Sequence, residues 1–309
     1  MNLPLCGTYL FFNTVWGSIN FPLVLFGIFY YHKLNNISKV TLICNLIIIL
    51  GSYLSIGTNI GIFRILLAII IFCWIKHTQE YLRCRKKCAV KIIVAVCCIT
   101  LFMTTIFMHM MRSRGGILSW NSLSYNVGGI GLNKDSIFFD FLPESLYMTL
   151  IAASSNLTQG YYGMSLCLQL HWLPTYGIGN SMAIVKKLSE YISDYIRHRT
   201  YQFRLTELGW EEDVRWHTMY SWYANDVSFL GVIIIMFFFG LLFAMAYKDS
   251  IVADNPYAHI MVFYFSLMAF FIPCNNQIFQ SIYIMFSFIF VMLCWLASRG
   301  RTKISLLKF

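Results

Sequence analysis

The amino-acid sequence predicts an all-α polytopic membrane protein with about seven transmembrane helices and one large extracytoplasmic segment, which contains short helices and membrane-surface helices. Hydrophobic residues make up 58% of the chain and charged residues 12%, whereas soluble domains carry about 25% charged residues. Apolar runs of about 20 residues, the length that crosses a bilayer, recur along the chain. Ten of the thirteen acidic residues lie in a single polar stretch, residues 112–227.

Residues 1–111 are predicted to form an N-terminal transmembrane bundle of four spans. Residues 1–31 contain no Lys, Arg, Asp or Glu, and Pro22 is expected to kink the span that they form. The third span carries Arg64 about one turn inside its start. The four predicted spans are residues 1–31, 40–58, 60–75 and 92–111.

Residues 112–227 are predicted to form the large periplasmic segment. Residues 144–170 are fairly apolar, which is typical of a re-entrant or membrane-lying pair of helices. From Ile184 to Ile196, apolar residues recur at helical spacing. That amphipathic helix would lie on the membrane surface or pack against its own domain, and the pattern leaves both alternatives open.

Residues 228–309 are predicted to form a C-terminal transmembrane bundle of three spans. The first is the uncharged run at residues 227–247. Residues 257–298 are also uncharged but are too long for one helix. The polar sequence that starts at Pro273 is therefore expected to break them into two spans.

The basic residues predict the orientation. Thirteen of the 23 Lys and Arg residues lie in the loops 32–39, 76–91 and 248–256 and in the tail from Arg299. Seven alternating spans put all four regions on one side, which the positive-inside rule assigns to the cytoplasm. Residues 112–227 then face the outside, and the formal charge of +10 needs no nucleic acid as a partner. The odd number of spans also predicts that further spans precede this chain.

Three arginines are candidate ligands for an anionic group. A charge inside a span costs about 2.5–3.5 kcal/mol, so Arg64 is expected either to face a polar cavity or to snorkel to the nearby surface. Arg112 and Arg114 follow the fourth predicted span near headgroup level. Because guanidinium groups suit phosphate oxygens, these arginines would bind phosphate or else anchor the chain at the interface.

The densest group of reactive side chains, residues 211–217 (EEDVRWH), precedes the fifth span. Acid and histidine side chains can take a proton from a hydroxyl nucleophile. We expect His217 to be the base, ahead of Asp226 and Glu212, because an imidazole titrates near neutral pH. Asp226 is expected to cap the N-terminus of the fifth span. The alternative is that His217 packs as a structural aromatic residue.

No pattern in the sequence indicates a metal or a cofactor. Nine of the ten cysteines fall in or next to apolar runs, so we expect no disulfide framework. A Walker-type loop, a His-x-x-x-His zinc helix and a Gly-x-Ser-x-Gly elbow are absent from the sequence, which argues against a nucleotide enzyme or a serine hydrolase. The glycine-rich sequence Tyr176-Gly177-Ile-Gly179-Asn180 precedes a predicted helix. It would attract an anion at the helix N-terminus or form an ordinary turn.

Three short stretches resemble the bacterial O-antigen and capsule repeat-unit polymerases of the Wzy type, a family with many spans, one large periplasmic segment and scattered arginines. They are residues 57–67, where Arg64 enters a span; residues 157–181, which run from Leu157-Thr-Gln-Gly-Tyr-Tyr-Gly163 through the glycine-rich sequence at 176–180; and residues 216–231, from Trp216-His217 to Gly231. The chain departs from the family in two respects. The family has about ten or more spans, and Val227-Ser replaces the Phe-Gly pair expected after Asp226.

The resemblance implies a metal-independent glycosyl transfer at the periplasmic side of the bacterial inner membrane, with no cofactor. Undecaprenyl-pyrophosphate-linked oligosaccharide repeat units would be joined into O-antigen or capsular polysaccharide, with arginines neutralising the leaving pyrophosphate. The implied pyrophosphate ligands are Arg64, Arg112, Arg114 and Arg215, and the implied sugar-binding residues are Tyr162, Tyr176, Gly179, Asn180, Trp216 and Tyr220. The implied partners are the lipid-linked oligosaccharide, the lipid bilayer, and a chain-length regulator or flippase.

Three other functions stay open. An O-antigen ligase would perform the same chemistry on a different acceptor. A flippase or polysaccharide transporter would distribute polar groups through its spans and keep short loops, whereas here one long segment holds most of the acids. A metal-using mannosyltransferase would need acid pairs in an outer loop, for which Asp135 and Asp140 are the candidates.

Overall fold

The computed structural model describes residues 7–55, 58, 60–84, 137, 141 and 144–302. In chain order its main helices are α1 (Gly7–Phe29), α2 (Asn36–Ser55), α3 (Ile60–Cys84), α4 (Glu144–Cys167), α5 (Met182–Tyr191), α6 (Tyr195–Arg199), α7 (Tyr201–Arg204), α8 (Met219–Val252), α9 (Pro256–Phe271) and α10 (Ile282–Thr302). Short 3₁₀ helices occupy Tyr31–Lys33 and Leu205–Leu208. These described residues form no β-strand, in agreement with the all-α prediction.

Within the described ranges, four helices are long and apolar enough to cross a membrane. They are Asn36–Ser55, Ile60–Leu82, Met219–Val252 and Ile282–Arg299, and α1 and α9 contribute shorter apolar helices. The break predicted at Pro273 is confirmed, because α9 ends at Phe271 and α10 begins at Ile282. The span predicted at residues 92–111 lies outside the described residues, so the count of seven spans stays a prediction.

Helix α9 forms the centre of the apolar bundle. Eleven of its 16 residues are buried, and an apolar helix that is buried on all sides must lie inside its neighbours. It packs against α1, α3, α8 and α10. Asn255 caps its first turn by accepting hydrogen bonds from the amides of Tyr257 and Ala258, and Pro256 follows at the first helical position, where its missing N–H costs nothing.

The described helix ends that lead into the loops predicted to be cytoplasmic lie at one end of this bundle. Lys76 near the end of α3 lies 5.0 Å from the ring centre of Phe29 at the end of α1. Arg299 in α10 donates a 2.6 Å hydrogen bond to Asp249 near the end of α8. The ends of α1, α3, α8 and α10 therefore lie together, as the alternation of spans requires.

Helix α8 is sharply bent at Ser228. This residue has φ 60° and ψ 170°, which is not helical. A straight helix of 34 residues would be about 51 Å long, whereas α9, with 16 residues, is about 24 Å long. The two helices share a short turn at one end, and at the other the Met219 amide donates to the Ile272 carbonyl at 2.9 Å. Residues 219–227 must therefore fold back along the bundle.

Two details of the predicted polar segment are wrong. The pair of helices expected at residues 144–170 is a single helix, α4. The continuous amphipathic helix expected from Ile184 to Ile196 is interrupted, because α5 ends at Tyr191 and α6 begins at Tyr195. Both tyrosines are exposed, and their contact with a membrane surface stays a prediction.

Candidate functional site

A polar cavity of about 240 Å³ lies beside the N-terminus of α8. Three separate parts of the chain line it: the loop before α8, the start of α5, and the loop between α9 and α10. The lining residues are Met182, Glu212, Asp213, Val214, Arg215, Trp216, His217, Trp222, Asn275 and Gln280. The group at residues 211–217 that the sequence singled out is thus brought together with residues far from it in the chain.

The cap at the N-terminus of α8 positions Trp222, which lines the cavity. The Thr218 side chain accepts a hydrogen bond from the Ser221 amide at 3.2 Å, which satisfies one of the free amides at the start of α8. Thr218 is fully buried, and Trp222 in the first turn is only 2% exposed. The indole Nε1 of Trp222 is buried and has no hydrogen-bond partner among the described residues.

Trp210 anchors the part of the lining that contains Trp216. Its indole Nε1 donates a 3.2 Å hydrogen bond to the carbonyl of Trp216. Helix α4 packs closely on this ring, since a Cβ added to Gly163 would lie 2.5 Å from the indole nitrogen. The backbone of Trp216 is therefore held by a side chain that is itself buried and closely packed.

The buried loop 272–281 connects the cavity to the rest of the protein. Asn275 and Gln280 from this loop line the cavity, while Gln277 accepts a hydrogen bond from Arg64 at 3.3 Å. The Asn276 side chain donates to the carbonyl of Asn180 at 3.1 Å. This one loop thereby fixes the positions of the cavity, of α3 and of the glycine-rich turn relative to one another.

His217 is unusual among the cavity residues because its polar ring is almost completely buried. Its side chain is 3% exposed, and neither ring nitrogen has a hydrogen-bond partner within the described part of the chain. Burial lowers the pKa of His217 to about 4, and the nearby backbone of Glu211 opposes this shift weakly. The imidazole is therefore neutral at pH 7 and can accept a proton, although as a weaker base than a free imidazole.

The two acids of the cavity are each paired with a cation. Arg197 donates from Nε and Nη2 to one carboxylate oxygen of Glu212, at 3.1 Å and 3.0 Å. The second oxygen of Glu212 makes no hydrogen bond to any described residue. Lys186 binds Asp213 at the more exposed rim. Glu212 thus keeps one free oxygen for a ligand.

Arg215 has no acidic partner among the residues that the structure describes. Its guanidinium group lies 5.5 Å from the ring centre of Trp210, an arrangement that orients the planar group without using its donors. The cavity therefore contains one guanidinium group whose hydrogen-bonding capacity is largely unused.

Asp226 does not line the cavity and does not cap α8, so the cap assignment is wrong; Thr218 is the cap. Its carboxylate instead binds the glycine-rich turn. It accepts hydrogen bonds from the amides of Gly177 at 2.8 Å, Gly179 at 3.0 Å and Asn180 at 2.9 Å. The Thr175 hydroxyl and the Asn180 side-chain amide also donate to it. Both carboxylate oxygens are thus used by the protein itself.

Arg64 lies apart from the cavity, buried between helices. Its side chain is 4% exposed, and it donates to the hydroxyls of Tyr283 and Tyr53 at 3.1 Å and 3.4 Å as well as to Gln277. All of these partners are neutral, and Nε has none in the described regions. The alternative that Arg64 snorkels to the surface is wrong. Arg112 and Arg114, like Asp135 and Asp140, lie outside the described residues.

The remaining predicted sugar-binding residues are dispersed. The Tyr162 ring packs 5.2 Å from Trp210, and Tyr220 belongs to the same apolar cluster. Tyr176 is 67% exposed and lies beside Arg199. Of the predicted site residues that the structure describes, Glu212, Arg215, Trp216 and His217 line the cavity.

Sequence reasoning missed the cavity residues Met182, Asn275 and Gln280. The sequence held a signal for Asn275. The polar residues Asn275-Asn276-Gln277 interrupt a run of 42 residues, 257–298, that carries no charge, and polar residues within apolar segments often mark a functional site. Met182 has no such signal. Neither family models, nor curated proteins, nor solved structures gave a match to this chain.

Proposed function

We propose that this protein polymerises undecaprenyl-pyrophosphate-linked oligosaccharide repeat units into a cell-surface polysaccharide, at the extracytoplasmic side of the bacterial inner membrane. The observation that carries the proposal is the buried imidazole of His217, which has no partner in the described regions and lines a small polar cavity beside Trp216 and Trp222. Aromatic rings and unsatisfied donors suit a sugar, which presents an apolar face and hydroxyls together.

The reaction joins two lipid-linked units. A hydroxyl of the acceptor sugar attacks the anomeric carbon of the donor glycan, whose bond to the pyrophosphate oxygen breaks. The hydroxyl proton passes to His217, and undecaprenyl pyrophosphate leaves with the bonding electrons. His217 is neutral at pH 7 because burial lowers its pKa to about 4, so it is in the form that accepts a proton. The free oxygen of Glu212 is the second candidate for this step.

Although Arg64 does not line the cavity, it is proposed to stabilise the leaving pyrophosphate, because it contacts Gln277 in the same loop that carries the cavity residues Asn275 and Gln280. A buried guanidinium group surrounded by neutral partners keeps a positive charge that no described acid compensates, and such a charge attracts the negative charge that develops in the transition state. The apolar helices α2, α3, α8 and α10 would let the lipid chain of the carrier lie in the bilayer beside it.

Deletion of the gene and complementation with variants test the proposal. Loss of the protein should remove long polysaccharide and leave a single repeat unit attached to the lipid carrier on the outer leaflet. Accumulation on the inner leaflet would instead indicate a flippase, and long polymer retained on the carrier would indicate a ligase. His217→Phe preserves an aromatic ring but removes the nitrogens, so it should fail to restore polymer. Full restoration by His217→Phe would show that the residue only packs.

A further inference from the structure

We infer that the sugar held in this cavity carries a carboxylate, so that the repeat unit contains an acidic sugar recognised by Arg215. This inference rests on the proposed function and names the substrate class of the same site. Its starting point is the charge around the cavity. Glu212 is paired with Arg197 and Asp213 with Lys186, whereas Arg215 has no acidic partner among the described residues.

The position of Arg215 favours a planar anion. Its guanidinium group lies over the ring of Trp210, and that ring is held by Trp216 and by close packing of Gly163. Less conformational entropy is lost when a ligand binds to a group that is already oriented. A guanidinium group presents paired donors that match the two oxygens of a carboxylate.

The other charged side chains around the cavity favour a ligand with one negative charge over a ligand with several. Two other described cations, Lys186 and Arg197, are already bound to carboxylates that line the cavity. A pyrophosphate would bring more than one negative charge close to Glu212 and Asp213, and among the described lining residues Arg215 is the one unpaired cation that could balance it. A sugar carboxylate would bring one charge and would be balanced by Arg215. This assigns Arg215 a role different from the pyrophosphate contact that the family resemblance implies.

The size of the cavity fits one sugar ring. Its volume is about 240 Å³, below the roughly 300–1,000 Å³ that is usual for drug-sized ligands. Trp216 is partly exposed at the cavity. Trp222 and His217 also line it, and their buried nitrogens have no partner among the described residues. The neutral part of the sugar would contact these groups, and its carboxylate would reach Arg215.

Binding of simple glycosides to the purified full-length chain in detergent tests the inference. The probes are methyl glucuronide, which carries the carboxylate, and methyl glucoside, its neutral match, with inorganic pyrophosphate as a third probe. Binding is followed by saturation-transfer NMR and by fluorescence of the cavity tryptophans. We expect the wild type to prefer the glucuronide by about tenfold, because only the carboxylate can form charge-assisted hydrogen bonds with Arg215.

Arg215→Gln should reduce that preference to about one, and Arg215→Lys should retain part of it. Arg204→Gln is the matched control, because Arg204 also lies over an aromatic ring, that of Tyr201, but does not line the cavity; its preference should equal that of the wild type. Equal binding of both glycosides, an unchanged preference in Arg215→Gln, or tighter binding of pyrophosphate than of the glucuronide would overturn the inference. These outcomes are read without polymer synthesis, so they are separate from the test of polymerisation.

Discussion

Replacing Asp226 with alanine should release the turn formed by residues 175–180 and destabilise the protein by about 3 kcal/mol or more. Five donors bind this carboxylate, but the three on more exposed residues can turn to water. Thr175 and Gly179 are buried, so their donors would lose a charged partner without replacement. Each such loss costs roughly 1.5–3 kcal/mol, which gives the expected magnitude.

Two measurements are made on each variant. Titration with SDS in mixed detergent micelles gives the free energy of unfolding, and chymotrypsin cleavage after the exposed Tyr176 reports whether the turn is released. Asp226→Asn should lie between wild type and Asp226→Ala, because it keeps an oxygen for Thr175 and Gly179 but places an amide against the amide of Asn180. Asp213→Ala is the control, since its ion pair with Lys186 is largely exposed and should contribute less than about 1 kcal/mol. A stable Asp226→Ala variant with a protected turn would refute this account of Asp226.

Three further predictions concern the backbone and the buried histidine. Ser228→Gly should stabilise the protein by about 1 kcal/mol, because φ 60° suits glycine, whereas Ser228→Ala should not; SDS titration compares them, and equal stabilities would contradict the strain. In the same titration, Gly179→Ala should destabilise the protein more than Gly177→Ala. A Cβ added to Gly179 would lie 2.0 Å from the Thr175 hydroxyl. A Cβ added to Gly177 would meet no atom within 4 Å, so only the φ of +84° opposes that substitution. The pKa of His217 is about 4 in the folded protein, against 6.5 for a free imidazole. As the pH falls below about 6.5, the unfolded state therefore binds a proton that the folded state does not bind. The free energy of unfolding should drop by about 2 kcal/mol between pH 7.5 and pH 5.0. His217→Phe should lack this part of the pH dependence, and an identical pH profile in both proteins would contradict it.

The sequence predicted most of the apolar helices because an uncharged run of membrane-spanning length must pair its backbone N–H and C=O groups internally, and an α-helix does so. It predicted the break at Pro273 for a similar local reason. The bend of α8 was not predicted, since it depends on the contact between Met219 and Ile272, which are 53 residues apart. A local hint existed, because the resemblance leads one to expect glycine where Ser228 has a positive φ.

The candidate site was predicted in part. Glu212, Arg215, Trp216 and His217 are close in sequence and line one cavity, so their clustering could be seen without a structure. The role of Asp226 could not be predicted, because its five donors lie 46 to 51 residues earlier in the chain. A carboxylate near the start of a helix suggests a cap, and only the fold shows that it binds a distant turn instead.

The central claim is that two lipid-linked repeat units become one longer lipid-linked glycan, and reconstitution measures this directly. The purified protein in liposomes would be given an undecaprenyl-pyrophosphate-linked repeat unit without metal ions or nucleotide, and the products would be separated and weighed by mass spectrometry. The account predicts glycans of two or more repeat units and one undecaprenyl pyrophosphate released for every bond formed, with neither product in His217→Phe. Unchanged substrate with the wild-type protein, or polymer formed equally well by His217→Phe, would contradict it.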